Sequence, residues 1–181
     1  MKLDFHAVSP ERWADMETLI ESRGGPHYCW CMAWRRNEFK QDMPGKAGRK
    51  ASMKRRVDDR VPVGLLGYLN GDPVAWCSIA PKTTYRPLGG AETSDDIWSL
   101  VCFFVKRGHR GQGLTRQLIA AATDYARSNG ALWLEAYPVA ADSPSYRFMG
   151  ICDTFTDMGF EFVEVVGTRR NLMRLKLAPC S

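Results

Sequence analysis

The feature that most constrains this chain is the apolar run from Ile97 to Val105, broken only by Ser99, which passes directly into Lys106-Arg107-Gly108-His109-Arg110-Gly111-Gln112-Gly113. A run that is apolar at alternating and adjacent positions alike needs cover on both faces, which suits a central strand. Beyond the glycines, Leu114, Leu118, Ala121, Ala122 and Tyr125 fall on one face of a helix that Asn129-Gly130 ends. A helix starting after such a turn offers unpaired backbone N–H groups and the positive end of its dipole, which together attract a phosphate. Gly111 and Gly113 allow close approach to the backbone. Arg107, Arg110 and Arg116 add positive charge, and no acid lies between Asp96 and Asp124. Two nucleotide signatures are excluded: Gly108, Gly111 and Gly113 are spaced wrongly for G-x-G-x-x-G, and no lysine follows them as in G-x-x-x-x-G-K-[ST]. The glycine pair alone is better explained as a tight strand-to-helix turn, so the phosphate reading needs further support.

The rest of the chain supplies a frame. Lys2 to Val8 alternates in polarity and reads as a strand. Ser9 at an N-cap and Pro10 at the first helical position predict a helix to about Ser22, with Trp13, Met16, Leu19 and Ile20 as its stripe. Arg23-Gly24-Gly25-Pro26 breaks it, and His27 to Trp34, dense in aromatics and sulfur, has no clean period. Met53, Val57 and Val61 at spacings of four give a second helix one apolar edge. Val63–Leu69, Asn70-Gly71 and Pro73–Ala80 read as a β-hairpin, because Asn-Gly supplies the positive φ angles of a tight turn. A loop from Pro81 to about Asp96 precedes the central run. Ala131 to Tyr137 is a second buried strand halted by Pro138, Ser143-Pro144 a helix start and Gly159 its stop. Phe160–Val166 and Met173–Leu177 complete the set as strands. No repeat or linker divides residues 1–181, which read as one α/β domain in the order β-α-α-β-β-β-α-β-α-β-β.

Charge narrows the partners. The net +5 arises wholly between Lys40 and Arg60, where eight basic residues face three acidic ones; the remainder balances at seventeen each. A whole-protein nucleic-acid surface is therefore disfavoured, and the basic helix is expected to face solvent. The longest apolar stretch falls far short of the ~20 residues that span a bilayer, and the N-terminus lacks a signal-peptide block, so no membrane partner is expected. Six scattered cysteines, some within apolar runs, fit reduced thiols of a cytoplasmic protein. His27-x-Cys29-x-Cys31 invites a metal reading, but the other histidines and cysteines stand singly and zinc wants four ligands; no metal is expected.

Arg110-Gly111-Gln112-Gly113-Leu114-Thr115, after Phe103-Phe104-Val105 and entering an amphipathic helix, resembles the acetyl-CoA loop of the GNAT N-acetyltransferase superfamily. Val105 stands five residues before Arg110, as in that family's pattern, Met158-Gly159-Phe160 resembles its second landmark, and the order of elements agrees over nearly the whole chain. The resemblance implies one GNAT-like domain: a mixed, mostly antiparallel sheet of about seven strands flanked by helices, with splayed central strands. It implies that backbone N–H groups of Gly111, Gln112, Gly113, Leu114 and Thr115, with Arg110, hold the diphosphate of acetyl-CoA. Phe104 and Val105 would pair with the pantetheine arm, an N–H near Phe103 or Phe104 would polarise the thioester carbonyl, and Pro138 would help the strands diverge. Thr115 departs from the family's Gly or Ala.

The implied activity is direct acetyl transfer to a primary amine within a ternary complex. An alkylamine has a pKa of about 10.4, so a base must take its proton. The family's usual glutamate position falls on Ser99, and the candidate carboxylate is Glu135 on the adjacent strand, with Asp95 and Asp96 next. Phe155 occupies the family's acid position and has no proton to give. A thiol of pKa about 8.5 is nonetheless a tolerable leaving group, and Tyr146 or Cys152 could take the acid's place. The acceptor is expected to be a small molecule rather than a protein amine, because His27–Trp34 and Lys82–Glu92 could enclose a pocket; a cationic acceptor would need Glu92, Asp95, Asp96 or Glu135. The expected assembly is a monomer or homodimer. The competing reading is a non-catalytic acyl-CoA-binding or sensing module on the same fold.

Overall fold

The computed structural model describes residues 1–36, 45–90 and 93–178. Lys40, Asp42, Glu92 and Cys180 lie outside the described residues. Seven strands form one sheet in the order β1-β2-β3-β4-β5-β7-β6: β1 Asp4–Ala7, β2 Leu65–Leu69, β3 Asp72–Pro81, β4 Ile97–Val105, β5 Trp133–Ala136, β6 Glu161–Val166 and β7 Arg170–Lys176. All neighbours are antiparallel except β4 and β5. Four α-helices, α1 Trp13–Ile20, α2 Gly45–Asp58, α3 Leu114–Ser128 and α4 Cys152–Thr156, cover it.

The hairpin turn follows from its two residues: Asn70 and Gly71 have φ of +51° and +87°, the pair of positive angles that a two-residue turn needs. β4 runs from Ile97 to Val105 with both faces packed. Trp98, Leu100 and Phe103 join α3 and α4 in one core layer, whereas Val101, Cys102 and Phe104 join α1 and the 30–32 segment in the other. Helix boundaries moved more. Ser9 is extended at an N-cap but makes no capping bond with its side chain, and Pro10–Arg12 is a single 3-10 turn before α1. Ser143-Pro144 does not start a helix. The Ser143 hydroxyl donates to the Ser145 carbonyl at 2.9 Å, a local turn bond that competes with helix, and α4 begins only at Cys152. Asn171 N–H donates to Pro138 O at 2.8 Å, so β7 begins at Arg170, beside the end of β5.

The basic segment has an internal explanation. Lys50 pairs with Glu17 and, at 3.1 Å, with Glu21; Lys46 reaches Glu21 at 3.7 Å and Arg60 reaches Glu11 at 3.5 Å. The ammonium groups of Lys50 and Lys54 also lie over Trp30 and Trp13, which stack on each other. The cations of α2 thus clamp it to α1. Each exposed pair contributes little, but Lys46, Lys50 and Arg60 are set against acids of the neighbouring segment rather than left wholly to solvent.

Candidate active site

β4 and β5 pair only from Ile97–Trp133 to Leu100–Ala136 and then part. Two sequence features cause the separation. On the β3 side, Ser78 faces Cys102 and Ile79 faces Leu100, leaving Val101 as a bulged residue that bends β4 at the point of departure. On the β5 side, Pro138 follows, and Val139 instead bonds with the 150–152 segment, donating to Gly150 O and accepting from Cys152 N–H at 3.0 Å each. From Val101 to Val105 the outer edge of β4 therefore has no partner strand among the described residues, an edge of the kind an extended ligand arm can pair with.

At the far end of that edge the glycine turn behaves as its composition requires. Gly111 and Gly113 both have φ of +74°, and Gly113 is the N-cap of α3. No side chain caps the helix, so its first N–H groups stay available. The Arg110 Nε–H donates back to the Val105 carbonyl at 2.9 Å, tying turn to strand. A cleft of about 440 Å³ is lined by Phe103, Phe104, Val105, Arg110 and Thr115, and from elsewhere by Gly24, Pro26, Arg147 and Phe148. Gly111, Gln112 and Gly113 are exposed beside it and Leu114 is buried beneath. The strand and turn residues expected to act together are brought together; the four contributions from distant loops carried no signal in the sequence.

Ser99 and Glu135 also meet, on the α1 side of the sheet. They are register partners across β4 and β5, both fully buried. The Ser99 and Tyr137 hydroxyls are 3.0 Å apart, and Tyr137 O–H donates to Glu135 Oε2 at 2.9 Å. Arg174 grips Oε1 through Nε and Nη2 at 3.1 and 2.6 Å, and the buried Lys82 ammonium stands 2.7 Å from Oε2. Each carboxylate oxygen is thus already engaged twice, about the full capacity of an ionised carboxylate. Such a group is an anchor rather than a ready acceptor for an amine proton. Burial, reinforced by the Glu135 charge, pushes the Tyr137 phenol well above its ordinary value and keeps it a neutral donor. Only Glu135 stood out in the sequence; Tyr137 follows the end of β5, Arg174 lies on β7, and Lys82 opens the 3-10 turn Lys82–Thr84 after β3.

Tyr146 lies apart from this network. It has φ of +60° ahead of the 3-10 turn Arg147–Met149, and its ring packs against Trp34 and Phe148, so it borders the cleft through its neighbours. Phe155 is fully buried against Phe103 and Phe160 and belongs to the core. Cys152 is half-buried and takes a 3.3 Å contact from the Asn171 amide. Asp95 accepts from Thr83 and Asp96 from Ser94 at the exposed head of β4, both removed from the point of divergence. The segments expected to enclose a pocket do meet: Arg35 bridges Tyr85, and Arg86 N–H donates to Trp34 O at 2.9 Å. His27, Cys29 and Cys31 form no metal-binding group, and none of three or more ligands exists among the described residues.

A single mixed sheet split at its centre, with a glycine turn and a helix N-terminus at one end of the split, defines the class of this α/β fold. The family model for the acetyltransferase (GNAT) family matches residues 30–150, and the chain belongs to that family. Similar solved structures include an uncharacterized protein, bh2621, from Bacillus halodurans (16% identity, TM-score 0.64, covering 96% of this chain and 83% of that one). YncA from Salmonella typhimurium, solved with its cofactor acetyl-CoA, is 17% identical with a TM-score of 0.55, covering 98% and 95%. PaiA N-acetyltransferase from Thermoplasma acidophilum, solved with coenzyme A, is 14% identical with a TM-score of 0.56, covering 97% and 99%. At these identities the likeness is one of fold. No curated protein matches the sequence.

Proposed function

We propose that this protein is an acetyl-CoA-dependent N-acetyltransferase that passes the acetyl group directly to a primary amine of a small molecule. The observation that carries the reading is the unpaired β4 edge from Val101 to Val105, continuous with the glycine turn and lining one cleft. The residues present fit the cosubstrate: a strand edge for the pantetheine amides, positive-φ glycines and free N–H groups for the diphosphate, and Arg110 beside them. Acetyl-CoA supplies an acetyl group activated as a thioester. The chain supplies orientation and a preorganised β4 N–H beside the bulge as donor to the thioester oxygen.

The amine's proton leaves by way of water. Glu135 acts as a positioning residue that fixes Tyr137, and through it Ser99, beside the divergence; the geometry favours this over the direct base role expected from sequence. Tyr146, next in sequence to the cleft-lining Arg147 and Phe148, is our candidate for returning a proton to the departing thiol. Free thiol released from acetyl-CoA across a panel of primary amines tests the whole reading: acceleration with at least one amine is expected, and folded protein that accelerates none overturns it. Tyr146→Phe should lower kcat about tenfold, or 1.4 kcal/mol, with the Kd for CoA unchanged, because the thiol leaves tolerably without help.

Phe155 in the core and the saturated Glu135 carboxylate favour one alternative, a non-catalytic module that binds acyl-CoA. Its mark would be calorimetric CoA binding with no turnover.

A further inference from the structure

Three basic side chains, Lys82, Arg170 and Arg174, gather on the α1 side of the sheet next to the divergence. Arg174 and Lys82 both engage the carboxylate of Glu135. The Lys82 ammonium is 4% exposed, and despite its ion pair it is not aligned for a hydrogen bond with any described residue. Arg170, half-buried at the start of β7, pairs with no carboxylate among the described residues. Its guanidinium lies 4.5 Å over the Trp34 ring and 6.0 Å from that of Tyr137, and only Nη1 donates, to the Leu88 carbonyl at 2.9 Å. Burial pulls its proton affinity down, and the groups that oppose this are the phenols of Tyr146 and Tyr137 rather than an acid. Glu164, exposed on the edge strand β6, brings Oε1 beside Gly90, close to Lys82, without forming an ion pair with Arg170.

A buried cation needs a partner. A guanidinium flat against an indole keeps its outer edge of N–H donors free in the fork geometry that matches a carboxylate. That edge stands among Trp34, Tyr137 and Tyr146, beside the end of β5 where the strands part. From this arrangement we infer that the acceptor is an amine that also bears a carboxylate, an amino acid or a close analogue, and that Arg170 grips the carboxylate while Lys82 adds a second positive charge behind it. The inference rests on the acetyltransferase reading for its claim that this ligand is the acceptor. It differs from the acidic pocket that a cationic acceptor would need. Among the described residues, Glu135 is committed to Lys82 and Arg174, and Asp95 and Asp96 lie at the wrong end of β4.

The test is equilibrium binding of acceptor-side probes to CoA-saturated protein, measured by calorimetry. The probes are N-acetylglycine, N-acetylmethionine, N-acetylphenylalanine and N-acetylglutamate, each beside its own α-carboxamide. At least one carboxylate is expected to bind tenfold or more tightly than its carboxamide. Arg170→Gln should erase that ratio while leaving CoA affinity unchanged. Carboxylates that bind no better than carboxamides, probes that do not bind, or a ratio that survives Arg170→Gln would each overturn the inference, and the first two need no variant that must fold. Thiol release with indifference to the carboxylate would reject the inference and keep the enzyme. Carboxylate selectivity with no thiol release from any amine would keep the anion site and reject the enzyme.

Discussion

The two halves of the site are made of different materials. Along Val101–Thr115 the working groups are backbone: an unpaired strand edge, two positive-φ glycines and the uncapped N-terminus of α3. Across the sheet's α1 side they are side chains, Ser99, Tyr137, Glu135, Lys82 and Arg174, joined in one network drawn from β4, β5 and the residue after it, β7 and the 3-10 turn after β3. A backbone site tolerates changes of side chain but not of φ. A buried ionic site tolerates neither the loss of a partner nor a change in protonation. The two halves should therefore fail in different ways.

The largest difference is expected from Glu135→Ala. Removing the carboxylate takes from the buried Lys82 the carboxylate it pairs with and from Arg174 one of its partners, and breaking a buried pair from one side costs about 3–5 kcal/mol. Urea denaturation should show that loss. The fraction still folded should bind CoA with unchanged Kd, because no atom of Glu135 lines the cleft. A large loss of CoA affinity would mean that the halves are not separable.

Alkaline pH should also weaken the fold around the site, beginning with Tyr85 on the α1 side of the sheet. Burial raises Tyr85, which lies under the Arg35 guanidinium 4.1 Å from its ring, to about 12. Below about pH 10 the phenol is protonated in both folded and unfolded chains, and its contribution is complete. As pH rises towards 12 the unfolded chain gives up the proton and the folded one does not, so stability falls by up to about 2–3 kcal/mol. Cys77, raised to about 12 by burial, adds to the decline. The urea midpoint should drop between about pH 9 and about pH 11, and Tyr85→Phe should make that drop shallower. An equal drop in the Tyr85→Phe variant would show that the phenol is not its source.

The same division explains what could be read from the chain. The backbone half was legible because it is local: the β4 limits, the Asn70-Gly71 turn and the Gly111/Gly113 loop each depend on residues adjacent in sequence. α4 was misplaced because Ser143-Pro144 carries a helix-start signal that the Ser143–Ser145 turn bond outcompetes. The side-chain half was half legible. Glu135 stood out as a carboxylate in an apolar strand, but its role depends on Lys82 and Arg174, which lie 53 and 39 residues away in sequence and reach it only through the strand order β3-β4-β5-β7. The basic excess misled for the same reason: its acidic partners, Glu17 and Glu21, sit on another helix.

Gly113→Ala probes the backbone half directly. Open space surrounds the position where a Cβ would sit, so the only penalty is the φ of +74°, about 1–2 kcal/mol for an L-residue. If the turn relaxes to escape that strain, the N–H groups at the start of α3 rotate away and CoA affinity falls about tenfold or more, equivalent to ~1.4 kcal/mol. Calorimetric titration of CoA measures it; an unchanged Kd would show that the turn's conformation is not what binds.

The smallest effect is the sharpest test of the comparison. Thr115 departs from the small residue its family resemblance leads one to expect, yet it lines the cleft and sits in the first turn of α3. If this half of the site is backbone, the hydroxyl and methyl are incidental, and Thr115→Ala keeps the N–H where it was. Alanine is also the better helix former, by up to about 0.7 kcal/mol, so stability should hold or rise slightly. CoA affinity should stay within about threefold, well inside the roughly 1 kcal/mol that a hydrogen bond from the hydroxyl would contribute. A tenfold loss from Thr115→Ala alongside an unchanged Gly113→Ala would invert the assignment, placing anion recognition in a side chain and leaving the glycines as a turn and nothing more.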